Sequence, residues 1–455
     1  MTLANKSIFF LICTIMIVAT MLYGTVHQPT IALFYFVVAL MMVLWAVDSF
    51  LSRELAVSRS LIQMPIYATA IYGFVQIVPF GTSPAIGGIQ GIPRTISLAP
   101  FETEMTAFHY LAFGFLLSIV LSSLNSAKRI GKLVTVIAVF GFAFAFFAIL
   151  QSFLSPGKIF GIYERFGAYP FGTFVSRHNF AAFMEMTIAL PLGLLLSGSV
   201  SRDKKLLYVT AIALMGVALL LSGSRGGLVA TLSAVFLIII LTTKARGAKK
   251  IAIRAVLSIG LVAAVAAGTM FVGGESSLTR IAETAASKDV TTNRTHIWAI
   301  TLNVIKSNLP FGAGLGAFGQ AYTPHDDFSG LERVEQAHND YLQVIADMGL
   351  VGVAIGAWFL FLLFRTGKKN VRTRNTFRRG VAVGAAGGIF AILVHSIFDF
   401  VLHTTAISLL FVILIGLLVA AGREYDDDEH EEDDGRRHHR SKAVVKPFSN
   451  RRSRV

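Results

Sequence analysis

Apolar runs of about 20 residues recur along the chain, and they limit its possible folds more than any other feature of the sequence. A run of this length crosses the hydrocarbon core of a bilayer as one helix. Only 15% of the 455 residues are charged, whereas soluble domains carry about 25% charged residues. We therefore predict an all-α integral membrane protein.

Twelve such runs predict about twelve transmembrane helices, at residues 8–23, 31–47, 61–80, 105–124, 133–153, 180–200, 206–221, 227–241, 255–272, 342–364, 381–401 and 407–421. The predicted organisation is a five-helix membrane region at 1–153, a second membrane region at 154–422, and a charged tail at 423–455. We expect the tail to be disordered, because blocks of like charge repel one another. The loop 273–341 separates the ninth and tenth runs, and loops of this size are usually functional.

The lysines and arginines predict the orientation of the chain. With the N-terminus inside and alternating spans, thirty of the 40 lysines and arginines fall in cytoplasmic segments, as the positive-inside rule expects. Both termini are then cytoplasmic, and the loop 273–341 lies outside. This distribution accounts for the net charge of +14, so we expect membrane lipids as partners and no nucleic acid.

Arg225 is one of the few cations on the predicted outer side, in the short turn Ser224-Arg225-Gly226-Gly227. A cation at the membrane edge is costly unless it is paired or hydrated, and glycines leave the backbone open to a ligand. The pattern favours an anion-binding arginine. The alternative is a side chain that reaches out to the lipid headgroups.

Arg294 and His338 lie in and at the end of the large outer loop. The segment 293–307 has apolar residues at helical spacing, which predicts an amphipathic helix with Arg294 in its first turn, where backbone N–H groups favour an anion. The alternative is a solvated arginine. His338 precedes the tenth run, and an imidazole with a pKa of about 6.5 can act as a general base at neutral pH.

A glycine-rich segment between them contains G-x-G-x-x-G at Gly314, Gly316 and Gly319. No strand precedes it, so we predict a tight loop and not a dinucleotide site.

Two further polar groups are candidates. Arg177, His178 and Asn179 stand at the start of the sixth run, and His395, Asp399 and His403 are spaced by four in the eleventh. That spacing predicts one shared helix face, with either a functional role or a hydrogen-bonded pair joining two helices. The sequence shows no pattern of metal ligands, and Cys13 is the only cysteine.

Guanidinium groups bind phosphate through two parallel hydrogen bonds, and a lipid diphosphate has its headgroup at the membrane edge. Arginines there could stabilise the charge that develops on a diphosphate leaving group.

Four motifs in one order resemble those of the O-antigen ligase and polymerase superfamily, across about residues 170–400. His338-Asn339, nine residues, and then Gly349 and Gly352 resemble its H-N-x9-G-x-x-G signature. The other three are Ser224-Arg225-Gly226-Gly227, Arg294 with Trp298 followed by Pro310, Gly312 and Gly314, and Gly172-Thr173-Phe174 with Asn179 and Ala181.

The resemblance implies a fold like that of the C-class glycosyltransferases, and an inverting, metal-independent enzyme without a cofactor, in a bacterial inner membrane with a periplasmic active site. The donor would be a glycan on undecaprenyl diphosphate, and the acceptor a glycolipid or growing polysaccharide. It implies that His338 activates the acceptor hydroxyl and that Arg225 and Arg294 bind the diphosphate. Supporting candidates are Arg177, Asn179, Asn339, His395 and Asp399.

Several functions remain open at this point. The H-N-x9-G-x-x-G match favours a ligase of finished glycan, and the alternative within the superfamily is a polymerase of lipid-linked repeat units in O-antigen or exopolysaccharide. A transporter of lipid-linked glycan is a third reading of twelve spans, although the two halves of the sequence lack the internal symmetry typical of transporters. A sensor or scaffold acting through the charged tail is a fourth.

Overall fold

The computed structural model describes residues 2–82, 88–164, 169–243, 294–327 and 333–423, with the single positions 252 and 259, and the regular elements in these ranges are all helices. The α-helices are α1 Leu3–Met21, α2 Gln28–Ser52, α3 Met64–Gln76, α4 Pro100–Ser123, α5 Ala127–Leu154, α6 Arg177–Ser197, α7 Lys205–Leu221, α8 Arg225–Thr242, α9 Arg294–Asn308, α10 Phe318–Tyr322, α11 Asp340–Asn370, α12 Thr376–His395 and α13 Thr405–Ala420. Short 3₁₀ turns are Leu61–Gln63, Arg202–Lys204, Thr323–His325 and Val401–His403. The predicted all-α membrane fold is confirmed.

Nine helices of the described ranges are long and apolar enough to cross a membrane, and α13 is a shorter apolar helix. The third predicted span is the short helix α3, and the polar residue at its end explains its length. Gln76 donates hydrogen bonds to the carbonyl oxygens of Phe311 and Asp347, at 3.1 and 2.9 Å. Apart from residue 259, the predicted span 255–272 lies outside the described residues, as do the loop residues 273–293 and the tail from 424. The predicted total of about twelve spans and the domain boundaries therefore stay predictions.

Helices α6 and α12 pack closely at the centre of the bundle because α12 carries glycine at every fourth position, at Gly380, Gly384 and Gly388. A Cβ on Gly384 would lie 2.8 Å from the backbone oxygen of Ala189 in α6. Small residues at this spacing allow the close helix contacts on which association in lipid depends. In the most apolar part of α6, 83% of the residues are buried. This packing fixes the N-terminal residues of α6 at one end of the bundle.

The segment after residue 293 packs onto the start of α11. Helix α9 confirms the predicted amphipathic helix, with Ile300 and Val304 buried against Phe318. The glycine-rich segment is a tight loop, as predicted, and Gly314 donates its backbone N–H to the carbonyl of Asp347 at 3.0 Å. The first glycine of the H-N-x9-G-x-x-G signature, Gly349, has φ 59° inside α11. A side chain there would clash with the carbonyl group of Pro310.

The prediction that His395, Asp399 and His403 share one helix face is wrong, because α12 ends at His395. The Asp399 carboxylate accepts the N–H of Phe400 at 2.9 Å, and a side chain that bonds to nearby backbone competes with helix formation. The chain turns there, and His403 lies in the separate 3₁₀ turn Val401–His403. We call residues 396–404 the α12–α13 loop.

Candidate functional site

The carboxylate of Asp399 joins residues from three distant parts of the sequence. Arg294, the first residue of α9, donates from Nη2 to Oδ2 at 3.0 Å, and His338 contacts Oδ1 through Nδ1 at 3.1 Å. The Asp399 side chain is only 7% exposed, whereas those of Arg294 and His338 are 22% and 33% exposed. The two partners are therefore fixed by a buried anion and remain accessible from outside the bundle.

The neighbours of Asp399 keep its carboxyl ionised. Burial by itself raises the pKa of the Asp399 carboxyl, but the hydrogen bond from His338 and the nearby positive charge of Arg294 have a larger, opposite effect and bring the pKa well below its usual range. A buried carboxylate that is ionised and hydrogen-bonded holds an imidazole and a guanidinium more strongly than a neutral acid would.

His338 owes its position to an unusual backbone conformation and to its neighbour. Its φ is 49°, in the left-handed region, which non-glycine residues seldom adopt. Asn339 caps α11 by accepting the N–H groups of Tyr341 and Leu342, and it donates to the carbonyl of Ile397 at 3.0 Å. Asn339 thereby fastens the His338 segment to the α12–α13 loop that carries Asp399.

A second histidine connects Asp399 to the turn Ser224-Arg225-Gly226-Gly227, which we call the glycine turn. His178, in the first turn of α6, has its Nδ1 atom 3.0 Å from Ser224 Oγ and 3.8 Å from Asp399 Oδ2. Ser224 caps α8 by accepting the N–H of Gly227 at 3.2 Å. Arg225 follows directly as the first residue of α8.

The structure treats the sequence-predicted arginines differently. Arg294 belongs to the Asp399 network, by which we mean Asp399 with Arg294, His338 and His178. Arg225 follows Ser224 at the start of α8 and makes no hydrogen bond or ion pair to the residues that the structure describes. Arg177 begins α6, stacks its guanidinium over Tyr169 at 5.1 Å, and lies next to Gly223 of the turn. Asn179 is buried in the same first turn.

His395 forms a separate pair with Glu185. Its Nδ1 lies 3.2 Å from both carboxylate oxygens of Glu185, and both side chains are almost completely buried. This contact joins α12 to α6, which is the structural alternative considered for His395. A Cβ on Gly226 would lie 3.1 Å from the His395 ring, so the glycine turn packs directly against this imidazole.

From the sequence, His178 was a candidate only as part of a polar group, Ser224 was only part of a motif, and Glu185 was not predicted. His178 carried a signal, because it stands between two selected residues, Arg177 and Asn179. Glu185 carried one too, as an acidic residue within an apolar run. In the described ranges no group of three or more His, Cys, Asp or Glu side chains is arranged to hold a metal ion.

Comparisons with known proteins agree with the motifs. The family model for O-antigen ligase matches residues 210–357, a segment with Arg225, Arg294 and His338 that ends before Asp399. The comparison with curated proteins gives no match. The resemblance is confirmed: residues 210–357 of this multi-pass membrane protein match the O-antigen ligase family, which supports the O-antigen ligase superfamily.

Proposed function

We propose that the protein transfers a glycan from undecaprenyl diphosphate to a sugar hydroxyl of an acceptor, as an O-antigen ligase. The observation that carries the proposal is the single buried carboxylate of Asp399, which contacts both Arg294 and His338. It holds a cation suited to a diphosphate beside an imidazole suited to a hydroxyl.

Arg294 is the main ligand of the donor diphosphate in this proposal. Guanidinium carries five N–H donors, and only the hydrogen bond from Nη2 to Asp399 is used in the network. The other donors can bind phosphate oxygens and stabilise the charge that develops as the diphosphate leaves. Arg225 and Arg177, from the two helix starts beside it, would complete the cationic surround.

His338 is the general base. With its Nδ1–H donated to Asp399, the other ring nitrogen, Nε2, is an acceptor. As the acceptor oxygen attacks the anomeric carbon, its proton passes to Nε2. The bond from that carbon to the phosphate oxygen breaks, and the diphosphate leaves with the electron pair. Attack from the opposite side inverts the configuration, and no step requires a metal ion or cofactor.

The site belongs to the periplasmic face of a bacterial inner membrane in this proposal. Helix α11 begins beside His338 and carries Lys368 and Lys369 in its last turn. The part of α11 after the break at Gly349, residues 350–370, spans about 30 Å, enough to separate the site from the basic end by the hydrocarbon core of a bilayer. Basic residues favour the cytoplasmic side, so both termini would be cytoplasmic.

The products that accumulate in a deletion strain test this function. A ligase predicts long lipid-linked polymer beside acceptor that carries no glycan. Single lipid-linked repeat units would instead indicate the polymerase alternative. Purified protein that moves lipid-linked glycan across liposomes but never joins it to an acceptor would contradict both and favour a transporter.

A further inference from the structure

A second histidine–aspartate pair lies beside the pair of His338 and Asp399 and comes from the same two chain segments, so the two pairs cross. Asp340 lies two residues after His338, and it contacts Nδ1 of His403 through Oδ1 at 3.1 Å. His403 in turn lies four residues after Asp399. Each of the two chain segments therefore contributes one imidazole and one carboxylate. The Phe400 ring packs edge-on against both imidazoles, with its centroid 4.8 Å from that of His338 and 6.2 Å from that of His403.

Asp340 is well fixed to orient this imidazole. Its Oδ2 atom accepts the hydroxyl of Ser396 at 2.7 Å and the N–H of Leu402 at 3.4 Å. The His403 side chain is 34% exposed, and that of Asp340 is 10% exposed. In the part of the chain that the structure describes, Nε2 of His403 has no partner, so it can receive a ligand from the open side.

The charges around the two pairs have opposite signs. Asp399 lies among His178, Arg294 and His338. The charges that act on His403 come from Asp340 and Asp347. A diphosphate would be repelled there, whereas an uncharged ligand rich in hydroxyl groups would not.

Aromatic side chains line this second face. His109 of α4 lies near enough to His403 for the two rings to interact electrostatically, and its Nδ1 is 3.0 Å from the hydroxyl of Tyr35 in α2. Tyr110 lies within range of the Asp340 and Asp347 charges. The side chains of Tyr35, His109 and Tyr110 are all partly exposed. Aromatic rings with polar tips suit a ligand with apolar faces and polar edges.

We propose that His403, oriented by Asp340, binds the acceptor glycan by a hydrogen bond to one of its hydroxyl groups, beside the pair of His338 and Asp399. The inference rests on the proposed function and adds to it the place of the acceptor. Donor and acceptor then meet at Phe400, where His338 can reach the attacking hydroxyl. His403 takes no part in bond breaking, so it affects acceptor binding and not the rate at saturation.

Binding to the purified full-length protein tests the inference without requiring transfer. The two probes are inorganic diphosphate and the oligosaccharide released by mild acid from the surface polysaccharide of the source strain. We expect His403→Ala to weaken oligosaccharide binding at least about tenfold and to leave diphosphate binding unchanged, with His403→Gln in between. Arg294→Ala should give the reverse pattern. The matched control is His296→Ala, because His296 pairs with Asp327 on the exposed surface at 2.7 Å and should affect neither probe.

The transfer assay gives the second measurement. His403→Ala should raise the KM for acceptor about tenfold and leave kcat and the donor KM within about twofold. The inference fails if the donor KM rises, if kcat falls with an unchanged acceptor KM, or if the wild type binds no oligosaccharide. A wild type that binds oligosaccharide through His403 but transfers nothing would contradict the proposed function and leave this site standing.

Discussion

The two crossed pairs, His338 with Asp399 and His403 with Asp340, have the same chemistry and different surroundings. Both imidazoles contact a carboxylate at 3.1 Å and are about one-third exposed. Arg294 lies against the first pair, whereas Asp347 acts on the second. The comparison teaches that an imidazole–carboxylate contact does not define a role by itself. The charges beside it decide whether a phosphate or an uncharged sugar can bind.

Replacing the imidazole of the first pair should have the largest effect. We expect His338→Ala to lower kcat for transfer about 1000-fold, because a general base contributes about 10²–10⁴-fold. The measurement is the initial rate at saturating donor and acceptor. Since His403→Ala should leave kcat nearly unchanged, equal losses of kcat in the two variants would break the comparison.

Neutralising the shared carboxylate should have the next largest effect. Asp399→Asn keeps the size of the side chain but removes the charge that holds Arg294 and His338, so we expect kcat to fall about 100-fold. Asp340→Asn is the matched variant and should raise the acceptor KM with little change in kcat. Both variants should first be checked for wild-type membrane insertion. Wild-type kcat in Asp399→Asn would contradict the role of the network.

Exchanging the cation should have a smaller effect that sharpens the contrast. Arg294→Lys keeps the charge but loses the planar arrangement of donors that binds two phosphate oxygens. We expect a donor KM about tenfold higher and an unchanged acceptor KM, measured by varying each substrate in turn. An increase confined to the acceptor KM would reverse the assignment of the two faces.

The pH dependence of the stability that each pair contributes should show the smallest difference between the two pairs. Burial lowers the pKa of His403, but the hydrogen bond and the charge of Asp340 and the charge of Asp347 raise it overall. Because the folded pKa is raised, the stabilisation is complete below about pH 6.5, the unfolded value, and is lost as pH rises through the folded pKa. The thermal midpoint of the wild type should therefore fall towards that of His403→Gln in alkaline buffer.

Asp399 should behave in the opposite way. Its lowered pKa means that its stabilisation is present above about pH 4, the unfolded value, and is lost only as pH falls through the folded pKa. The midpoint difference between the wild type and Asp399→Asn should stay constant from neutral to alkaline pH. A difference that vanishes there would show that the carboxylate is not held as described.

The sequence allowed the apolar helices of the described ranges, α9 and the glycine loop to be predicted, because each depends on local periodicity or on a short motif. The crossed pairs could not be predicted in this way. The four-residue spacing of His395, Asp399 and His403 indicated one helix face, but α12 ends at His395 and His403 lies in a separate 3₁₀ turn. The Glu185–His395 contact joins residues 210 positions apart, and nothing in the local sequence encodes that pairing.

The central claim is that the donor diphosphate and the attacking hydroxyl meet at the Asp399 network. A structure of the purified protein with an undecaprenyl-diphosphate-linked glycan bound tests it most directly. The account predicts phosphate oxygens within hydrogen-bond reach, about 3 Å, of Arg294, with the anomeric carbon facing Nε2 of His338. A diphosphate bound beside His403 and Asp340, or remote from both pairs, would contradict it.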